Sequence, residues 1–156
     1  MDISATNDFA ATPEQVFAML TDPDFLERVC QATDPLEYEV YVEGARAGTR
    51  RVMRSPSSVT TFTGPTLTVR DEIVWHPAAT GGHRTGAASI KVEGLPVALH
   101  GTVRLAPGGR GTVLGYIGAL KVGIPFVGPR LETQAAPALL EALNVQQRVG
   151  DDWLAG

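Results

Sequence analysis

The stretch Thr12-Pro13-Glu14-Gln15-Val16-Phe17-Ala18-Met19-Leu20-Thr21-Asp22-Pro23 is where the period of the chain changes, and that change decides the fold. Before it, Ile3, Ala5, Asn7 and Phe9 alternate with Ser4, Thr6 and Asp8, the two-residue period of a half-buried strand. At Thr12 three helix-start signals coincide. Thr12 is a capping residue, Pro13 suits the first helical position, and Gln15 completes a capping box. Val16, Phe17 and Leu20 follow at helical spacing. Asp22-Pro23 repeats the same grammar and opens a second short helix carrying Phe25, Leu26, Val29 and Cys30. The two helices form a bent pair.

Downstream the period returns to two. Leu36, Tyr38, Val40 and Val42 alternate with Glu37, Glu39, Tyr41 and Glu43. A turn over 44–48 leads to a return strand over 49–54. Ser55-Pro56-Ser57-Ser58 breaks the pattern ahead of a short 59–62 segment. Strands are then expected over 66–75, 85–92, 97–105 and 112–122, joined by loops rich in glycine and proline. Gly128-Pro129 starts a final helix, in which Leu131, Ala135, Leu139, Ala142, Leu143, Val149 and Trp153 form one apolar stripe. Pro137 interrupts it and is expected to bend it near Thr133. An antiparallel sheet with one apolar face needs a cover, and the terminal helix is the available element. The fold class is therefore α+β, a curved antiparallel sheet wrapped on a long C-terminal helix, with two short helices after the first strand.

Composition narrows the function. The 156 residues suit a single domain over 1–156, large enough to need neither disulfide nor metal for stability. A net charge of -4 argues against a nucleic-acid partner, because there is no basic excess to displace counterions from phosphate. One cysteine excludes an internal disulfide and any multi-cysteine zinc site. Met1-Asp2-Ile3-Ser4 has no basic, then apolar, leader pattern, and no run is long enough for a transmembrane segment. A cytoplasmic location is expected. The chain is read as a monomer or homodimer.

The order of elements resembles the helix-grip fold of the START-like (SRPBCC) superfamily. The likeness rests on Phe9, on Pro13-x-x-Val16-Phe17-x-x-Leu20-x-Asp22-Pro23, and on Gly128-Pro129 at the last helix. More closely, Val16-Phe17-Ala18-Met19-Leu20-Thr21-Asp22-Pro23, Leu36-Glu37-Tyr38-Glu39-Val40 and Gln146-Gln147-Arg148-Val149-Gly150 look like an actinobacterial branch of that superfamily with no assigned activity. The superfamily includes the birch pollen allergen, lipid-transfer domains and polyketide cyclases. The resemblance implies a cavity between sheet and helix that takes a hydrophobic or amphipathic small molecule, with no cofactor. Fold alone does not imply catalysis.

Cavity walls are expected from Phe17, Leu20 and Phe25 on the helices, from Tyr38, Val40, Leu67, Val69, Ile73 and Leu99 on strands, and from Phe126, Leu131 and Leu139 at the C-terminal end. Asp71 shares the apparent core face with Leu67, Val69, Ile73 and Trp75. A carboxylate there must be paired, hydrogen-bonded or shifted up in pKa, making Asp71 the candidate polar anchor or general acid–base. The bland alternatives are a bulge that turns it outward, or an arginine that satisfies it. Arg51 is a further anion contact should it face inward near Asp71. Arg46, Arg50 and Arg54 are expected to pair with Glu37, Glu39 and Glu43 across strands. Tyr38 and Tyr116 offer phenolic hydroxyls. The three histidines show no metal spacing, and Cys30 at a helix C-terminus is poorly placed as a nucleophile. The apolar loop 123–129 reads either as a gate or contact patch, or as a segment tucked under the helix. Beside ligand binding stand two alternatives: a polyketide cyclase- or dehydratase-like enzyme, which needs convergent ionisable groups, and a protein interaction module.

Overall fold

Local sequence sets the first turn after the opening strand. In the computed structural model, which describes residues 1–156, Thr12 accepts from the backbone of Gln15 at 3.2 Å, and the Gln15 side chain accepts from Thr12 N–H at 3.0 Å. Helix α1 (Pro13–Leu20) follows β1 (Asp2–Phe9), and Asp22 caps α2 (Pro23–Ala32). Then come β2 (Glu37–Glu43), β3 (Arg46–Arg54), the single turn α3 (Thr60–Thr63) and β4 (Thr66–Trp75). Strands β5 (Arg84–Val92), β6 (Val97–Gly108) and β7 (Gly111–Val122) lead to helix α4 (Gly128–Ala155).

All seven strands form one antiparallel sheet in the order β1-β7-β6-β5-β4-β3-β2. The six strands β2 to β7 run as a meander, and β1 closes the β7 side. Helices α1 and α2 therefore carry the chain from one edge of the sheet to the other. No helix is long and apolar enough to cross a membrane.

The register sorts each strand into two faces. Thr49, Asp71, Ile90, Leu99 and Leu120 lie in line across five strands on the inward face. On the outer face Arg50 lies opposite Arg70, a like-charge pair that the carboxylate of Glu93 bridges to both sides. That bridge corrects the expected pairing with β2. Arg46 likewise pairs with Glu72 at 3.5 Å, because β4 supplies the better-placed acid. The β2–β3 turn is also tighter than expected, with Arg46 directly opposite Glu43 and Gly44 in the left-handed region.

The concave face is packed solid at one end. Phe9, Val16, Met19, Leu20, Phe25, Trp75, Val103, Leu105 and Leu114 form the buried cluster. Two edge-on aromatic contacts extend it, Phe17 on Trp75 at 5.5 Å and Phe25 on Trp153 at 5.6 Å. The C-terminal half of α4 seals this end. At Gly150 the helix approaches so closely that a Cβ would lie 2.4 Å from the ring of the fully buried Phe9. Next to it, Gln147 accepts from Asp8 N–H at 2.9 Å and donates to the Asp8 carbonyl at 2.7 Å.

Helix α4 begins at the expected Gly128-Pro129 and runs past Trp153 to Ala155. Leu131 N–H bonds to the Val127 carbonyl, and Val149, Trp153 and Leu154 pack on the core at the far end. Pro137 lies within the helix. The buried Glu132 fastens the helix start by accepting from Val122 N–H at 3.0 Å and from the Met1 ammonium at 3.1 Å.

Two stability tests follow from these contacts. Helix propensity alone makes Gly→Ala favourable by about 1 kcal/mol, yet Gly150→Ala is expected to destabilise the protein by roughly 1–3 kcal/mol, because Phe9 has no room to yield. Chemical denaturation measures the sign. The second test is Glu132→Gln. The Val122 N–H and the Met1 ammonium hold the Glu132 carboxyl below the usual range. Its contribution is therefore present above the unfolded-state pKa and fades as pH falls through the lowered folded value. The variant should melt below wild type at neutral pH, and the gap should close in acid.

Candidate functional site

The other end of the concave face is not filled. Here α4 faces the sheet with the short side chains of Ala135 and Ala142, set among Leu131, Leu139 and Val145. A cavity of about 520 Å³ remains, and 20 of its 28 lining residues are hydrophobic. The strands supply Leu67, Val69, Ile90, Val92 and Leu99, all inward by register, yet all retaining accessible surface. Val103, Leu105 and Leu114, also inward but at the packed end, are fully buried. What the first group faces is the cavity. Exposed residues of its lining, including Arg54, Pro56 and Phe62 before β4 and Ala138 and Glu141 on α4, mark its open rim.

One charged pair stands at its wall: Arg51 belongs to the lining, whereas Asp71, an expected site residue, does not. Asp71 is on the inward face; its carboxylate Oδ2 accepts from Thr49 Oγ1 at 2.7 Å and from Arg51 Nη2 at 3.4 Å. Arg51 lines the cavity, donates through Nη1 to Thr33 Oγ1 at 3.3 Å, and keeps only 13% of its side-chain surface exposed. Its Nε is buried with no acceptor. Burial pushes the Asp71 carboxyl up, and the neighbouring Arg51 and the Thr49 hydroxyl oppose that shift. Cys30, at the end of α2, is buried, and its thiol is pushed up to about 11, chiefly by burial.

A second polar group joins α4 to the sheet. Gln146 donates to Asn7 Oδ1 at 2.9 Å and to the Tyr116 hydroxyl at 2.8 Å, while Asn7 donates to the Leu143 carbonyl at 3.1 Å. Burial raises the Tyr116 phenol to about 12. This group has its partners within the protein and serves to hold the helix.

The structure divides the expected wall residues. Leu67, Val69, Leu99, Leu131 and Leu139 line the cavity. Leu20 and Phe25 do not, being part of the solid cluster under α1 and α2. Phe17 is held between Trp75 and the Arg84 guanidinium, 3.7 Å from its ring centre. Ile73 packs against the same cluster. Tyr38 and Val40 are on edge strand β2, outside the cavity, and the Tyr38 hydroxyl accepts from Gln31 at 2.8 Å. Phe126 is fully exposed with φ +70°, a left-handed backbone that leaves its ring outside, while its neighbour Ile124 enters the lining. Within this loop Ile124 points inward and Phe126 outward. Asp71 meets Arg51 but neither Tyr38 nor any bonded histidine. Arg51 is the residue that sequence reasoning underweighted; alternation on β3 places it inward only once the register with Asp71 and Val69 is known.

A seven-stranded curved sheet gripping a C-terminal helix defines the START-like helix-grip class. The chain belongs to the family described as "Protein of unknown function (DUF2505)", whose model matches residues 4–154. Three solved structures illustrate the shared fold. A protein from Thermus thermophilus is 19% identical, with a TM-score of 0.63 over 97% of this chain and 95% of its own. One from Rhodobacter sphaeroides is 24% identical, with a TM-score of 0.63 over 99% and 91%. A STAR-related lipid transfer protein from Xanthomonas axonopodis is 14% identical, with a TM-score of 0.64 over 99% and 86%. No curated protein matches the chain.

The position of Cys30 yields a direct test. With the thiol 1% exposed and its pKa near 11, iodoacetamide near neutral pH should leave the native protein unmodified and label it stoichiometrically in denaturant. Peptide mass spectrometry checks both arms.

Proposed function

We propose that the chain binds a hydrophobic or amphipathic small molecule in the cavity between the sheet and the N-terminal half of α4. One observation carries the reading. Leu67, Val69, Ile90, Val92 and Leu99 turn inward and still keep accessible apolar surface, at the one place where α4 offers alanines. Leaving such surface uncovered forfeits stabilisation of about 25 cal/mol per Å², and an apolar occupant restores it. The volume falls within the roughly 300–1,000 Å³ usual for small-molecule sites. The name of the Xanthomonas neighbour, a lipid transfer protein, supports the same class of ligand. The whole chain acts as one such binding domain.

Native mass spectrometry of freshly purified protein tests this reading, as does binding of the uncharged dye Nile red. Expected is a co-purified small molecule, or dye fluorescence that saturates at one site. Ala135→Phe, which inserts a ring into the space, should abolish dye binding and leave the melting temperature unchanged or higher. A protein that carries no adduct and does not bind the dye would falsify the proposal.

A further inference from the structure

The length of the cavity and its volume together limit the shape of its occupant. We propose that the cavity takes a single hydrocarbon chain of about seventeen groups, polar end at the rim beside β3, and has no room for the second chain of a two-chain lipid. This rests on the binding site proposed above and adds the class of molecule that fills it.

The sheet side of the cavity is regular. Each strand from β3 to β7 contributes two inward residues, beginning with Arg51 and Met53 on β3 and ending with Leu120 and Val122 on β7. Neighbouring strands lie about 4.8 Å apart, so this floor is about 19 Å long across the strands. The helix side gives nearly the same figure. Along α4 the lining runs from Leu131 to Val145, about 21 Å at a rise of about 1.5 Å per residue. An extended chain advances about 1.2 Å per bond, so a length near 20 Å holds about seventeen atoms in single file. Volume supplies an independent count. A methylene group takes up about as much space as a water, roughly 30 Å³, so the cavity of about 520 Å³ also holds about seventeen groups. The two counts agree only if the space is one chain wide. Two chains side by side over the same length need twice the volume.

The two ends of this space differ. At the β7 end Leu120, Val122 and Leu131 are buried and close it. Beside β3 the lining includes Arg54, Pro56 and Phe62, all exposed, and the space opens to water. A polar end keeps its hydration only at that rim, which directs the methyl end of the chain towards Leu131. Each methylene covered on the way strengthens binding by about fourfold, so affinity follows chain length until the closed end is reached.

Dodecanoylglycerol and dihexanoylglycerol carry the same number of chain carbons on the same glycerol, the first in one chain and the second in two. In displacing bound Nile red from the wild-type protein, the first is expected to bind at least about tenfold more tightly, because the second seats only one of its short chains. Native mass spectrometry with an equimolar mixture of saturated monoacylglycerols, decanoyl to docosanoyl, reads the length. Adducts should increase as far as the hexadecanoyl or octadecanoyl member and no further. A ratio below about tenfold, adducts that keep increasing to docosanoyl, or dye displaced by neither glyceride overturns the single-chain assignment and leaves the cavity reading standing. If Nile red binds nowhere and no adduct forms, both fall.

Discussion

The contact between Gly150 and the Phe9 ring sets where α4 lies on the sheet. It brings the helix backbone against β1, a distance only a residue without a side chain allows. Gln146 and Gln147, on the turn before, hold the polar edges of that strand through Asn7 and Asp8. With one end of α4 held there, its other end stands over the opposite part of the concave face. What lies beneath is decided by side-chain length. Phe9, Phe25, Met19 and Trp153 fill the near end, whereas Ala135 and Ala142 leave the far end open. Core and cavity are thus two outcomes of one docking geometry.

That division explains the unequal burial of equivalent positions. Val103 and Leu99 both face inward on β6, four residues apart; one is fully buried and the other is not. Alternation makes them alike, and only the element opposite distinguishes them. Interiors pack to crystal-like density where neighbours interdigitate, so a stretch of half-exposed leucine and valine under a helix marks a place where the partner side chains are missing. Glu132 adds a polar fastening at the open end, where apolar contacts are fewer. Its two hydrogen bonds tie the helix start to the last residue of β7 and to Met1.

Much of this was legible in the sequence. The capping box at Thr12, the Asp22-Pro23 start and the Gly128-Pro129 start are local signals, and each opens the helix it predicts. Strand alternation put Asp71, Val69 and Leu67 on the inward face. What alternation does not carry is which inward residues meet α1 and α2 and which meet α4. Leu20 and Phe25 are apolar and inward, as a wall residue would be, yet they sit under the wrong end of the helix. Arg51 shows the same limit from the polar side. Its neighbour Arg50 lies on the outer face with Glu93, and only the register with β4 brings Arg51 to Asp71.

The Arg51–Asp71 pair is unequally buried, with 13% of the Arg51 side-chain surface exposed and 35% of that of Asp71. Burying two charges is expensive, and apolar residues of similar volume are often as stabilising or more so. The burial-raised carboxyl of Asp71 reflects that cost. The Arg51–Asp71 separation is 3.4 Å, and the Arg51 Nε is itself buried with no acceptor. Alternation alone thus brings two charges to the inward face, and the hydroxyls of Thr49 and Thr33 complete the set of partners that holds them there.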